Sequence, residues 1–344
     1  MRESVEQKLG EYLPEGWGRR DVLFYLHHNK YKVDLDALNK NLRDPSRDFL
    51  LRGGKRIRPT LFLACIELFG SNPREYLDYA AAIEMIHNGT LILDDIEDKA
   101  ELRRGKPASH KKYGLDTATN VGMGLHILPL NIILSSKNKI TSYQKERVMR
   151  IYTEELTNVS FGQALDIYWH KHHPENVSLE EYLEMVRLKT GSLMRMSTRL
   201  ACALTNRTPD TEELFKDLAE NLGIAFQIID DCLDLDPPSE KFGKSFGNDI
   251  TEGKLSLPVI KALGSISKSE RETLSGILHR HTRNKKYISE AIKIIKDSGA
   301  VDDSRKFAKE IAISSWKEME HKWARRNNLK NLRELALFFV EREY

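Results

Sequence analysis

Residues 73–98 read PREYLDYAAAIEMIHNGTLILDDIED, and the fold class turns on them. Pro73 suits the first turn of a helix, where its missing N–H is no loss. From there apolar residues recur around most of the girth, the mark of a helix set in a core rather than laid on a surface. The stretch ends in acids. Asp94, Asp95, Glu97 and Asp98 crowd together, and the continuation KAELRRGK brings the adjacent Arg103 and Arg104. Carboxylates at the end of an apolar helix are either a solvated surface or a site that holds an anion through a metal ion.

Helical periodicity continues outward from this stretch. YQKERVMRIYTEELTNVSFGQALDIYW (143–169) is one long segment. SLEEYLEMVRLKTGSLMRMSTRLACAL (178–204) opens on a capping box, Ser178 with Glu181. TEELFKDLAENLGIAFQIIDDCLDL (211–235) has Thr211 as its expected N-cap. RETLSGILHR, SEAIKIIKDSG, SRKFAKEIAISSWKEMEH and NNLKNLRELALFFVERE carry the pattern to the end. Strand-type alternation is nearly absent. An all-α fold of more than ten helices is expected. Without a linker, composition break or repeat, residues 1–344 read as a single domain. The least regular stretch, 236–254, is a glycine- and lysine-bearing loop and a candidate lid, with Gly243, Gly247 and Gly253 as its pivots.

Composition narrows the function class. The chain has 344 residues, 31% of them charged, and a net charge of only +3. A dedicated nucleic-acid binder would carry a clustered basic excess. Cys65, Cys202 and Cys232 are dispersed and form no CxxC pair, which points away from structural zinc and toward a reducing, cytoplasmic setting. No uninterrupted apolar run of membrane-span length is seen, so no transmembrane segment is expected.

The acidic cluster has a twin. Asp230, Asp231 and Asp234 repeat the Asp-Asp-x-x-Asp spacing at the end of the apolar run AFQII. Positions i and i+4 of a helix differ by roughly 40° and one turn, about 5.4 Å. Asp94 and Asp98 therefore point the same way, as do Asp230 and Asp234. Stacked carboxylates repel unless a cation intervenes. Oxygen-only donors select magnesium, calcium or manganese, and magnesium favours a few carboxylates plus substrate phosphate. Two such clusters facing each other across a bundle would clamp a diphosphate. A solvated acidic helix end explains one copy as well as a site does, but explains two poorly.

Cations accompany the acids. GGKRIRP (53–59) sets Lys55, Arg56 and Arg58 behind two glycines, and Arg103 and Arg104 follow the first cluster. Lys244 and Lys254 sit in the loop after the second, and Lys189 opens KTG in an otherwise apolar segment, where an unpaired ammonium would be costly. Each lysine alone reads as a surface charge, Lys189 excepted. Together they call for more anion than the aspartates supply, as two diphosphate substrates would.

GGKRIRP, HNGTLILDDIEDKAELRRGKPASH, GQALDIYW, RLKTGSL, FQIIDDCLD and GKSFGNDITEGKLSLPVI occur in the order seen in the trans-isoprenyl diphosphate synthases, the polyprenyl synthetase family. The chain resembles that family over residues 50–260, most closely its geranylgeranyl diphosphate synthase branch. The resemblance implies the isoprenoid synthase fold, a helical bundle around a central prenyl-chain cavity. It implies a homodimer and magnesium, about two or three ions per site, with manganese as the substitute. The implied substrates are isopentenyl diphosphate and an allylic diphosphate (dimethylallyl, geranyl or farnesyl), joined head to tail. By the same resemblance Lys55, Arg58, His87 and Arg104 bind the isopentenyl diphosphate. Arg103, Lys189, Lys244 and Lys254 grip the allylic diphosphate. Asp94, Asp98 and Asp230 hold magnesium, and Asp95 and Asp234 complete the acidic rims. Thr190 and Gln227 lie near the allylic carbon. Asp166 and Trp169 of GQALDIYW stay outside the expected site as structural residues.

The position five before the first aspartate, a large aromatic in family members with short products, is Gly89 here. A fifteen-carbon stop at that level is not expected, and a tunnel passing Gly89 would be shortened by Gly89→Phe. His126, Ile127, Ser160 and Phe161 are the candidates for a deeper floor. A C20 product is expected, with C25 or longer as the alternative. A terpene cyclase or a non-catalytic synthase subunit shares the helices but does not account for GGKRIRP together with two intact aspartate motifs.

Overall fold

A computed structural model describes residues 1–136, 140–172, 177–235, 247–323 and 329–340. These residues are helical almost throughout, and the only sheet among them is a two-residue ladder, Leu102–Arg103 against Lys106–Pro107. The all-α expectation is met. The expected helices appear as Leu77–Glu97, Ser142–His172, Leu179–Val186 with Ser192–Leu204, Pro209–Leu235, Lys268–His279, Lys285–Asp297, Ala300–Lys322 and Lys330–Val340. Lys244 and Gly243 fall outside the described residues.

Local signals start these helices as their chemistry requires. Ser178 Oγ accepts Glu181 N at 3.1 Å and Ser178 N donates to Glu181 Oε2 at 2.8 Å, the reciprocal capping box. Pro73 opens a short 3₁₀ turn, Pro73–Tyr76, capped by Asn72, and the long helix begins behind it at Leu77. The cap of the second aspartate helix is Thr208, whose Oγ1 accepts Thr211 N at 3.3 Å, and not Thr211. Pro209 takes the first helical position, which moves the start three residues earlier than a Thr211 cap would set it.

The backbone groups into two compact units, Met1–Met149 with Leu200–Asn206, and Arg150–Arg199 with Arg207–Tyr344. In the first unit the helix Leu77–Glu97 packs along Leu115–Ser135 and against Ile57–Leu68. In the second, Pro209–Leu235 packs along Ala300–Lys322, which also carries Leu257–Ser265 and Lys330–Val340. Leu115–Ser135 is long and apolar enough to cross a membrane, a feature that the search for unbroken apolar runs passed over. One of its faces is packed in the core of the first unit. Leu115, Met123, Ile127 and Leu134 remain exposed.

Candidate active site

In the first unit the acids close the helix Leu77–Glu97, and a tight hairpin follows. Its two-residue turn, Arg104-Gly105, has φ of 54° and 73°, the positive pair that a twisted hairpin needs. The hairpin turns Arg103 back onto the helix end. Arg103 Nε and Nη2 donate to Asp95 Oδ1 at 2.7 and 2.5 Å, and Nη2 stands 3.7 Å from Asp94 Oδ2. Asp95 is fully buried. Burial holds its carboxyl above the usual range against the pull of Arg103. Burial also works against the charge on Arg103, but Asp95, Asp94 and Asp98 outweigh it and raise that pKa.

Arg104 leaves the turn in another direction. Its guanidinium lies over the Phe49 ring and against Gly54, where a Cβ would stand 3.1 Å from Nη2. That close approach, with a φ of 139° at Gly54, is what the second glycine of GGKRIRP provides. Arg56 is not part of an anion-facing set. Its buried side chain donates to Glu84 Oε1 at 2.6 Å and Leu50 O at 2.5 Å. It thereby fastens the loop that carries Lys55 to the start of the helix that carries Arg58. Arg58 Nη1 meets His87 Nε2 at 3.2 Å. An arginine only donates, so the His87 proton is assigned to Nδ1. Burial, then Arg58, Arg104, Arg103 and Arg56, drives the His87 pKa well below its ordinary value. Burial pushes Arg104 down to about 10. Among the polar atoms buried here without a hydrogen-bond partner are the donors His87 Nδ1 and Arg104 Nη1. Orphaned donors beside arginines fit an anion.

Gly89 lies two residues beyond His87, turned to the neighbouring helix. A Cβ there would stand 2.9 Å from Gly122 O, 3.0 Å from Leu125 Cβ and 3.2 Å from His126 Cδ2. A side chain at 89 meets the Gly122 carbonyl first, a contact that bears on the expected shortening by Gly89→Phe. Of the expected deeper stops, Ile127 and Phe161 are exposed at 57% and 62%.

In the second unit Asp166, Tyr182, Lys189, Thr190, Gln227, Asp231, Asp249 and Lys254 line one pocket. A hydrogen-bonded chain orders its floor. Thr190 Oγ1 donates to Gln227 Oε1 at 2.9 Å, Gln227 Nε2 to Asp231 Oδ1 at 2.9 Å, and Tyr182 OH to Asp231 Oδ2 at 2.6 Å. Lys189 Nζ reaches Asp166 Oδ2 at 2.5 Å, and Lys254 Nζ reaches Glu252 at 2.6 Å. Burial pushes Asp231 up to about 6, although three donors favour its charge. Asp230, the neighbouring expected ligand, is half-buried. Asp234 is differently employed. Its oxygens accept Asn248 N at 3.2 Å and Asp249 N at 2.9 Å, so it caps the short helix Asn248–Glu252.

Sequence reasoning missed Tyr182 and Asp249, read Asp231 as part of the second acidic cluster without giving it a role, and set Asp166 aside. Asp231 is buried, Asp249 is half-buried, and Tyr182 comes from the helix Leu179–Val186. Asp166 lines the pocket and holds Lys189. For Asp166 the signal was present in GQALDIYW. For the others the pairing partner is distant in sequence.

The carboxylates suit a hard divalent ion. Asp95 Oδ2 is buried at the helix end without a hydrogen-bond partner, and the donors are all oxygen. Among the described residues no three carboxylate, imidazole or thiol groups gather into a ready cage.

Residues 39–295 match the polyprenyl synthetase family. The chain is 36% identical over 269 residues to the short chain isoprenyl diphosphate synthase of Methanocaldococcus jannaschii, covering 78% of this chain and 80% of that one. It is 32% identical over 324 residues to a geranylfarnesyl diphosphate synthase of Natronomonas pharaonis, covering 89% and 91%. Its fold is that of the geranylgeranyl pyrophosphate synthetase from Pyrococcus horikoshii Ot3, with a TM-score of 0.83, 30% identity and coverage of 99% and 96%.

Proposed function

Since the chain belongs to the polyprenyl synthetase family and is a prenyltransferase, we propose that it condenses isopentenyl diphosphate head to tail with an allylic diphosphate, making all-trans geranylgeranyl diphosphate, C20. The observation that carries this reading is the pair of buried, partnerless donors His87 Nδ1 and Arg104 Nη1 beside Arg58, an anion seat built from neutral and cationic groups. A second product reading, C25, is favoured by the likeness to a geranylfarnesyl diphosphate synthase.

The roles follow from chemistry. Lys55, Arg58, His87 and Arg104 hold the isopentenyl diphosphate. Arg103, Lys189 and Lys254, with Lys244 of the undescribed segment, take the allylic diphosphate. Asp94, Asp98 and Asp230 hold magnesium, with Asp95 and Asp234 behind them. When bound, the ions supply Lewis-acid neutralisation of the charge growing on the departing diphosphate. The lysine and arginine donors, held by Asp166, Glu252 and Asp95, would stabilise the same growing charge. Thr190 and Gln227, hydrogen-bonded to each other, stand near the carbon that becomes cationic in this reading. The isopentenyl alkene attacks that carbon as its bond to oxygen breaks. A proton then leaves the new tertiary cation for the released diphosphate, restoring an alkene.

Residues 1–344 act as one cytoplasmic catalytic domain in this reading. The exposed stripe Leu115, Met123, Ile127 and Leu134 lies on one side of its helix and is the face that a homodimer would cover. One incubation tests the function: isopentenyl diphosphate with dimethylallyl, geranyl or farnesyl diphosphate and magnesium, the product sized by chromatography. A C20 diphosphate is expected. No elongation, or a cyclised hydrocarbon, overturns the proposal.

A further inference from the structure

The helical run carrying Lys189 is irregular. Arg187–Gly191 is a π turn between Leu179–Val186 and Ser192–Leu204. Such turns are rare and concentrate where a function needs them. One side chain grips this turn from behind. Arg195 is 2% exposed, and all five donors of its guanidinium find acceptors. Nη1 donates to Arg187 O at 3.0 Å and Glu220 Oε2 at 2.6 Å. Nη2 donates to Glu155 Oε2 at 2.8 Å and Ser192 Oγ at 2.9 Å. Nε faces both oxygens of Glu155 at 3.2 and 3.1 Å. Ser192 Oγ in turn donates to Leu188 O at 2.5 Å. The two carbonyls directly before Lys189 are thus held by Arg195, one directly and one through Ser192.

The turn is also pressed from the helix Ser142–His172. A Cβ on Gly162 would stand 2.3 Å from Lys189 N and 2.8 Å from Lys189 Cα. The Lys189 backbone is therefore clasped between a glycine that admits it and an arginine that binds its neighbours. We propose that Arg195 is a positioning residue for the allylic end of the site: it fixes the π turn and so sets where the Lys189 ammonium and the Thr190 hydroxyl stand. Neither Arg195 nor Glu155 lines the pocket, so Arg195 acts only through the turn. The inference rests on the reading of Lys189 and Thr190 as allylic-substrate groups.

Arg199 supplies an internal control. It shares Glu155, at 2.8 Å, and otherwise donates to Glu154 at 2.6 Å and Glu212 at 3.1 Å. Arg195→Lys keeps the charge and loses the fork that reaches Arg187 O and Ser192 together. Arg199→Lys weakens the same buried network away from the turn. Steady-state kinetics with each substrate varied in turn, alongside thermal melting, separate the two. Arg195→Lys is expected to lower kcat/KM for the allylic diphosphate by about 100-fold, as a displacement near 1 Å does. KM for isopentenyl diphosphate is expected to stay within about twofold, and Arg199→Lys to melt earlier while keeping both constants. Equal kinetics in the two variants, or a loss of stability in Arg195→Lys with wild-type constants, overturns the proposal. Should Arg195→Lys fail to fold, Ser192→Ala removes the Leu188 arm alone, and unchanged allylic kinetics there also overturns it. A wild-type enzyme that does not elongate overturns the functional reading itself, a different result from any of these.

Discussion

At the end of the helix Leu77–Glu97 the middle aspartate, Asp95, meets a guanidinium. At the end of Pro209–Leu235 its counterpart, Asp231, meets a phenol, an amide and the backbone N–H of Leu257. The two ends share Asp-Asp-x-x-Asp, and both middle acids are buried. The partner sets their chemistry. A cation from the adjoining hairpin opposes the desolvation of Asp95, whose carboxyl still stays above its ordinary range. Neutral donors leave Asp231 raised to about 6. The last aspartates differ too: Asp98 ends its own helix, whereas Asp234 caps the next one. Identical spacing thus specifies which residues can share a face, and says little of the charge state each keeps.

The comparison can be broken most forcefully at the outer acids. Asp94→Ala and Asp98→Ala are each expected to lower kcat by about 10³-fold with little change in melting temperature, and a chelator to abolish elongation by the wild type. Asp231→Asn keeps a hydrogen-bonding group on Tyr182 and is expected to cost activity much less. Equal losses at Asp94 and Asp231 would erase the distinction between the ends. On stability, Arg103→Ala strands a buried carboxylate. A fully buried pair broken this way costs about 3–5 kcal/mol. Arg103 is 31% exposed, which discounts that to about 2–3 kcal/mol. Tyr182→Phe removes a neutral donor and is expected to cost about 1–2 kcal/mol. Denaturant midpoints would show the reverse order if the partner's charge were irrelevant.

Between these lies the glycine contact of the first region. Gly89→Ala forces a methyl onto Gly122 O and is expected to cost about 1–3 kcal/mol. A product change in Gly89→Phe is therefore to be read only alongside its melting curve. The smallest effect concerns His87. Its pKa in the folded chain lies well below the ordinary 6.5, so under mild acid the unfolded chain binds a proton that the folded chain refuses. Its contribution to stability is complete above about pH 6.5 and is lost as pH falls toward the folded pKa, by at most about 1.4 kcal/mol per pH unit. His87→Asn should flatten that slope in urea titrations between pH 5 and 6.5, and an unchanged slope would show that His87 does not cause it.

Much of the site was legible as a list and less of it as an arrangement. Lys189 and Lys254 stand out in the chain itself, Thr190 and Gln227 follow from the family resemblance, and all four line one pocket. Arg58 and His87 were named and touch. Arg56 stood in the same motif as Lys55 and Arg58, yet its αL backbone, with φ of 52°, turns its side chain into the core. The RRG hairpin escaped notice because two-residue strands leave no alternation to detect. The π turn at RLKTG escaped because one extra residue hardly disturbs the periodicity of a short apolar run.

Helix positions, caps and the two acidic faces are local properties, written within one or two turns of chain, and so the sequence alone determined them. Which group meets each buried aspartate, which glycine meets backbone, and which arginine grips a turn depend on packing that the local sequence does not write. Desolvation and hydrogen bonding act on whatever packing brings near, and only the tertiary structure decided what stands beside Asp95, Gly89 and Lys189.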